Sequence, residues 1–341
     1  MDAQAATAYQ AHILENRLRK RDRHLRKWAR RIGTDVYRLY DRDIPEIPLT
    51  LDHYRSAIAG ALYERPYGKD DAEEDRWLDA MTEAVSHALG VPPERIFLKR
   101  RRRQRHRQET GSQYERLSDQ SFLLDVREGG LRFRVNLSDY LDTGLFLDRR
   151  VLRDMIRREA EGKHILNLFC YTGAFSVYAA AGGASLVDSV DISKTYLSWA
   201  SANLAQNSIE AGFVQPQALW RSIRAGTPLP PCRLIRADVL GFLDDAAQRG
   251  CSWDVIILDP PTFSNSKKMR TAFDLRRDYR SLIGQCLGLL KPGGILWFSV
   301  NARRFRLEPD EFPGVSCADM SRRIADEDFR GKRTPVCYRF S

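Results

Sequence analysis

The first regular pattern along the chain is helical. Between residues 9 and 32, apolar side chains recur at Ile13, Leu14, Leu18, Leu25, Trp28 and Ile32, the spacing of one helix face. Positions 1–8 lack it and read as disordered. Over residues 36–66 the period shortens towards two, in runs at 36–40, 47–51 and 56–63 around Pro45 and Pro48, which predicts short strands. The helical period returns from Asp70 to Leu89, and Gly90 closes it. Ile96-Phe97-Leu98-Lys99 predicts another strand. Phe122 to Val126 and Leu131 to Leu137 predict a hairpin across Glu128-Gly129-Gly130.

From about residue 150 the rhythm changes. Apolar, β-branched runs at 165–170, 186–191, 234–238, 253–259 and 295–300 alternate with helical stretches at 173–181, 193–207, 239–249 and 271–290. Closing strands are expected at 315–320 and 336–340, and residues 208–232 read as a Pro-rich connection. Alternation of this kind specifies a doubly wound, mainly parallel sheet. The expected architecture is α/β, with a smaller α+β domain before it. The expected domains are a basic helix at 1–32, a small α+β RNA-binding domain at 33–149, and the wound sheet at 150–341.

Charge adds a partner. The net charge is +10, from 55 basic and 45 acidic side chains, which favours an anionic ligand. On the first helix, Asp22 is the sole acid among the basic residues between positions 16 and 31, so i,i+4 partners are scarce. Phosphate contact is therefore favoured over a plain solvated face, with Arg17, Arg21 and Lys27 as contacts. Arg100, Arg101, Arg102 and Arg103 open an acid-free block running to Arg107, and Lys267 and Lys268 follow the last loop discussed below; the same two readings apply to them. The six cysteines, Cys170, Cys232, Cys251, Cys286, Cys317 and Cys337, form no C-x-x-C pair and read as reduced structural thiols, so no metal is expected. No apolar run approaches the ~20 residues of a membrane span, and the N-terminus lacks a secretory pattern. Cytoplasm is the expected compartment, with no membrane partner.

The chemistry concentrates at strand ends. The run Trp253 to Leu258 leads into Asp259-Pro260-Pro261-Thr262-Phe263-Ser264-Asn265-Ser266. The prolines stiffen this loop, hold Asp259 extended and present Phe263 at a set place. The strand at 165–170 leads into Asn167-Leu168-Phe169-Cys170-Tyr171-Thr172-Gly173, and two further strands end in Asp191 and Asp238. In a parallel sheet these ends share one edge, where ligands bind. Gly173 permits close backbone approach at a helix start. Asp191 can accept from two ribose hydroxyls, Asp238 from an exocyclic amine of adenine, and Asp259 can face an ammonium. Taken singly, Asp191 and Asp238 also fit helix N-caps. Together they describe a nucleoside with an amino-acid tail, S-adenosylmethionine. A dinucleotide is disfavoured because the turn holds one glycine, not G-x-G-x-x-G.

With these motifs, and with Asn136 to Arg150 (which contains DYLDTGLFLD), the chain resembles the class I S-adenosylmethionine-dependent rRNA methyltransferases, in particular the branch that forms 7-methylguanosine in 23S rRNA. The likeness also takes in Asn16 to Tyr37 and the arginine-rich strand near residue 100, and the chain reads as a free-standing version of a module otherwise fused to a second methyltransferase. It departs from the family pattern at Arg149, where histidine is usual. The resemblance implies a Rossmann-like fold with a mainly parallel seven-stranded sheet. It implies that Phe146 and Asp148 help close a cofactor pocket holding Asn167, Phe169, Tyr171, Thr172, Gly173, Asp191, Ile192, Asp238, Val239 and Asp259, with Asp259, Pro260, Pro261 and Phe263 at the reacting centre. The partner is then large-subunit rRNA or its assembly precursor; the oligomeric state is open.

Guanine N7 has a free lone pair and no proton, so attack on a sulfonium methyl needs no general base. The N7 edge is inaccessible in paired RNA, so the base must be unpaired or extruded, with Phe263 either stacking on it or packing its own loop. Methylation of cytosine C5 would need a cysteine nucleophile, which this loop lacks. Methylation of an exocyclic amine of guanine or adenine remains a competing reading of Asp259 to Phe263. A different class, a non-catalytic RNA-binding assembly factor, would use the basic segments alone.

Overall fold

A computed structural model describes residues 3–63, 70–101, 121–225, 227–264, 273–302, 304–308 and 311–341. The chain forms two compact units, Met1–Leu147 with Glu327–Lys332, and Asp148–Asp326 with Arg333–Ser341.

The first unit opens with helix α1, Ala3–Ile32. It starts six residues before the expected first position, residue 9, inside the stretch read as disordered, because Ala3-Gln4-Ala5-Ala6 has high helix propensity without needing burial. Its stripe (Leu14, Leu18, Leu25, Trp28) is buried in one core with Tyr37, Leu39, Leu51, Ile58, Trp77, Met81 and Val85. Strands β1 (Val36–Asp41), β2 (Leu49–Tyr54) and β3 (Ala57–Tyr63) form an antiparallel meander. Helix α2 (Asp71–Leu89) then crosses to β4 (Ile96–Arg101), which pairs parallel to β3. Asp70 caps α2 by accepting from the Glu73 N–H at 2.7 Å, and left-handed Gly90 ends it. Strands β5 (Leu123–Glu128) and β6 (Leu131–Asn136) form the hairpin, its turn made by Gly129 and Gly130 at φ 60° and 80°. Residues Glu327–Lys332 return to this unit; the Asp328 carboxylate accepts from the Arg38 N–H at 2.9 Å.

The second unit runs α3 (Arg150–Glu159), β7 (His164–Leu168), α4 (Ala174–Ala181), β8 (Leu186–Asp191), α5 (Lys194–Gln206) and β9 (Ala211–Val214). It continues with α6 (Pro216–Ala225), β10 (Cys232–Arg236), α7 (Val239–Gln248) and β11 (Trp253–Leu258). A two-residue ladder, β12 (Phe263–Ser264) with β13 (Phe273–Asp274), precedes α8 (Leu275–Gly288). Strands β14 (Leu290–Val300), β15 (Cys317–Asp319) and β16 (Val336–Phe340) close the unit.

Among the described residues the sheet order is β15-β16-β14-β11-β7-β8-β10-β9, eight strands where seven are expected. The additional one is the edge strand β9, which lies with α6 inside the segment read as a Pro-rich connection. Four residues, Ala-Gly-Phe-Val, are too few to show a period, and the ladder with β10 supplies the order instead. β16 alone runs against the sheet, antiparallel to its neighbours β14 and β15, and the remaining strands are parallel. Side chains on one sheet face (Leu166, Leu168, Val190, Ile235, Ile256, Leu258, Leu296, Phe298) share a core with α6, α7 and α8. On the other, α4 packs against β7 and β8 and contacts α3 and α5.

The chain winds outward from β7 through β8 to β10, then returns to place β11 on the other side of β7. This reversal opens a crevice at the carboxyl ends of β7 and β11, where open α/β sheets bind ligands. The amino-terminal half of the strands holds a buried ion cluster. Asp188 is 0 % exposed; Arg233 Nε lies 2.6 Å from its Oδ1, and His164 Nε2 and Trp253 Nε1 lie 2.7 and 2.8 Å from its Oδ2.

Candidate active site

Pairing register fixes the height of each strand end. Leu258, Leu168, Val190 and Ile235 are level across β11, β7, β8 and β10. The next residues, Asp259, Phe169, Asp191 and Arg236, therefore share one rim, and Asp238 stands two residues beyond Arg236. At ~4.8 Å per strand the acids span roughly 15 Å of that rim.

The turn after β7 is tightly wound. Phe169, Tyr171 and Gly173 have φ of 54°, 52° and 73°. Two non-glycine residues in the left-handed region cost on the order of 1–2 kcal/mol each, and such strain clusters at functional sites. A Cβ on Gly173 would lie 2.7 Å from Ala200 Cβ, so the close approach this glycine permits is to α5. The Tyr171 N–H donates to Asp191 Oδ2 at 3.0 Å and the Ser193 N–H to Oδ1 at 2.8 Å. Each oxygen retains an acceptor site for a ribose hydroxyl. Burial pushes the Asp191 carboxyl up to about 6, even though the N–H groups of Ser193, Tyr171 and Ile192 pull it down. Ser193, not Asp191, caps α5, by accepting from the Tyr196 N–H at 3.3 Å. Asp238 caps α7, its Oδ2 accepting a long 3.4 Å bond from the Gly241 N–H.

Beyond β11, the Thr262 carbonyl accepts from the Leu275 N–H, and the β12–β13 ladder pairs Phe263 with Asp274. Backbone pairing fixes Phe263, yet its side chain is 39 % exposed. In the same loop Pro260 is buried and Pro261 half-buried. Arg149 forms a two-pronged pair with Asp259, Nε to Oδ2 at 3.2 Å and Nη2 to Oδ1 at 3.0 Å, and its Nη1 lies 3.0 Å from Asp148 Oδ2.

Asn167, Thr172 and Val239, expected at the site, are turned into the interior. Asn167 is 1 % exposed and donates to Ser176 Oγ at 2.8 Å, tying β7 to α4. Thr172 is buried, and its carbonyl accepts from Asn203 Nδ2 at 2.9 Å. Val239 belongs to the apolar core. Ile192 is half-buried, its carbonyl accepting from Arg236 Nε at 3.3 Å. Phe146 is exposed and falls in the first unit. Sequence reasoning assigned Arg149 no role. The available signal was a run of arginines, Arg149, Arg150 and Arg153, sharing a helical repeat with Leu152 and Ile156. Cations on a buried face require acids.

The basic positions fall into three groups. On α1 the acid partners that seemed scarce are present: Glu15 pairs with Arg19 and Asp22 with Arg26, and Arg17 is taken up by Asp43, 26 positions along the chain. Arg21 donates to the Asp328 carbonyl at 3.4 Å, and burial, then neighbouring Arg17, lowers its pKa. Lys27 remains on a groove of about 420 Å³ shared with Arg19, Arg23, Arg26 and Arg30. Arg100 is ion-paired to Asp71, Glu74 and Asp75 at the start of α2. The side chain of Arg101, and Arg102, Arg103, Lys267 and Lys268, lie outside the described residues.

A wound sheet with this switch point and acid-lined rim is the framework of a nucleoside-cofactor methyltransferase, and a family described as S-adenosylmethionine-dependent methyltransferase matches residues 40–311. The chain belongs to that family. It is 41 % identical over 323 residues to ribosomal RNA large subunit methyltransferase K of Neisseria meningitidis serogroup B, covering 95 % of this chain and 85 % of that protein. It is 43 % identical over 339 residues to ribosomal RNA large subunit methyltransferase K/L of Methylococcus capsulatus, covering 98 % of this chain but 43 % of that protein. The chain thus spans less than half the length of its K/L relatives. Among solved structures, SMU.776 complexed with SAH shares the fold at a TM-score of 0.70 and 23 % identity, over 97 % of this chain and 81 % of that one. The SAM-dependent methyltransferase from Agrobacterium tumefaciens does so at 0.55 and 20 %, over 86 % and 87 %.

The residues present fit the family's cofactor, S-adenosylmethionine. Asp191 has acceptor capacity to spare. Asp148 Oδ1 is buried with no hydrogen-bond partner among the described residues, so the site lacks a donor that the cofactor's ammonium would supply. No described helix is long and apolar enough to cross a membrane, and no described group of His, Cys, Asp and Glu is arranged to hold a metal.

Proposed function

We propose that this chain methylates a base of large-subunit ribosomal RNA, with guanine N7 of 23S rRNA as the acceptor. The reading is carried by the rim, where an exposed aromatic on a stiff Asp-Pro-Pro loop stands beside the acids suited to a methyl donor. The names of the similar proteins supply the RNA class. Bound S-adenosylmethionine supplies an electrophilic methyl group. The chain's own residues do the rest by placement, which is worth up to roughly 7–11 kcal/mol of barrier. Asp191 orients the ribose and Asp238 the adenine. Phe263 stacks on the extruded base, contributing ~1–3 kcal/mol. Its exposure favours stacking over packing of its own loop.

Arg149 favours N7 over an exocyclic amine. An amine sheds a proton on methylation and needs an acceptor, whereas both Asp259 oxygens already face a guanidinium. N7 has no proton to lose. The Cys170 thiol is driven well above its ordinary range by burial and then by Asp191, which disfavours it as a nucleophile towards cytosine C5.

The test is mass spectrometry of nucleosides from large-subunit RNA of cells with and without this protein. Loss of 7-methylguanosine is expected. Loss of an N2- or N6-methylated nucleoside would move the acceptor to an amine, and no change in any would end the reading. Donor binding should also depend on pH. Because burial holds the Asp191 carboxyl near 6, its acceptor form is lost as pH falls through 6. Calorimetry between pH 5 and 8 should show S-adenosylhomocysteine binding tighten with rising pH, and Asp191→Asn should flatten the profile. The sign for folding is opposite: an acid whose pKa is raised in the fold favours the folded state at low pH and loses that contribution as pH rises through 6.

A further inference from the structure

Arg149 carries a buried charge that the reaction above uses only to occupy Asp259. It is 5 % exposed and adjoins the amino end of α3. Burial opposes its charge, but Asp148 and Asp259 outweigh burial and raise its pKa, so it stays a cation. One guanidinium between two carboxylates leaves one negative charge uncompensated. That charge has a defined outlet. Asp259 spends both oxygens on the Arg149 fork, and Asp148 spends only Oδ2, leaving Oδ1 buried without a hydrogen-bond partner among the described residues. A buried anionic acceptor calls for a cationic donor.

We propose that Arg149 is a positioning residue: it clamps the Asp259 carboxylate in one plane and leaves Asp148 to receive the α-ammonium of the methyl donor's amino-acid tail. This rests on the donor assigned above and reassigns the ammonium contact from Asp259, where the strand-end pattern alone put it, to Asp148. The planar fork of arginine is essential to the arrangement, because a lysine ammonium has the charge without the two parallel donors.

Two ligands separate this role from a general one. S-adenosylhomocysteine carries the amino-acid tail, and 5′-methylthioadenosine has the same nucleoside without it. By calorimetry, Asp148→Asn should weaken S-adenosylhomocysteine at least ~10-fold, the scale of one charged hydrogen bond, and leave 5′-methylthioadenosine within about twofold. Arg149→Met should show the same selective loss, and Arg149→Lys should recover part of it. Equal losses for both ligands would mean a merely structural role and would overturn the proposal, as would an unaltered S-adenosylhomocysteine affinity in Asp148→Asn. Should Arg149→Met fail to fold, as judged by circular dichroism, the Asp148→Asn titration decides alone. Failure of the wild-type protein to bind either nucleoside would instead remove the donor assignment itself, a distinguishable result.

Discussion

Asp259→Asn should reduce methyl transfer by roughly 10²–10³-fold, the usual consequence of removing one preorganised electrostatic contact at a reacting centre. The substitution preserves side-chain shape but takes away the charge that Arg149 pairs with at 3.0 and 3.2 Å. A cationic 7-methylguanine forms as the methyl arrives, and without the Asp259 charge the Arg149 guanidinium at the end of β11 is less compensated and opposes that cation. RNA affinity, measured by filter binding, should stay within about twofold, since one half-buried carboxylate paired to Arg149 contributes little to phosphate contacts. Asp259→Ala should be at least as inactive, and both variants should lose some stability, because Arg149 then loses one of its two counter-charges. Single-turnover assays on 23S rRNA fragments would reveal the difference. An Asn variant with wild-type turnover would show that the loop after β11 is not where the chemistry occurs.

The second large effect is on stability, at the opposite end of the same strands. Asp188→Asn should cost about 3–5 kcal/mol, because it leaves the Arg233 guanidinium buried without a counter-charge. Urea unfolding followed by circular dichroism would measure it. A loss under about 1 kcal/mol would show that water or rearrangement already compensates the pair. The pH dependence has a definite sign. Burial alone would raise the Asp188 carboxyl, but His164, Arg233 and Trp253 together hold it below the usual carboxylate range. Its contribution is therefore fully present above the ordinary Asp pKa of ~3.9 and disappears as pH falls through the depressed folded value. The stability gap between wild type and Asp188→Asn should accordingly be constant near neutrality and narrow at strongly acidic pH.

Long, patterned segments were legible in the chain. The strand ending at Asp191 and the one leading into Asp259, helix α2 with its Gly90 stop, and the hairpin across Gly129 and Gly130 follow from period and turn chemistry. Segments governed by their neighbours were not. β9 exists because β10 offers an open edge, and α6 because Leu219 and Trp220 have a core to enter. α3 escaped notice because its buried face carries arginines, which a hydropathy pattern scores as surface. Electrostatic partners were the least visible. Arg17 with Asp43, Arg100 with Asp71, and Arg149 with Asp259 are separated by 26, 29 and 110 positions, and no local rule joins them.

By itself, then, the order of residues determined the winding of the sheet and the set of acids that its parallel strands must deliver to one rim, because strand polarity and side-chain period are local properties. Only the tertiary structure decided which of those residues remain available to a ligand. It withdrew Asn167, Thr172 and Val239 into the interior, turned Asp238 partly to capping, and set Arg149 between Asp148 and Asp259. Availability depends on burial and on partners distant in the chain, and both come into being only when the strands are side by side.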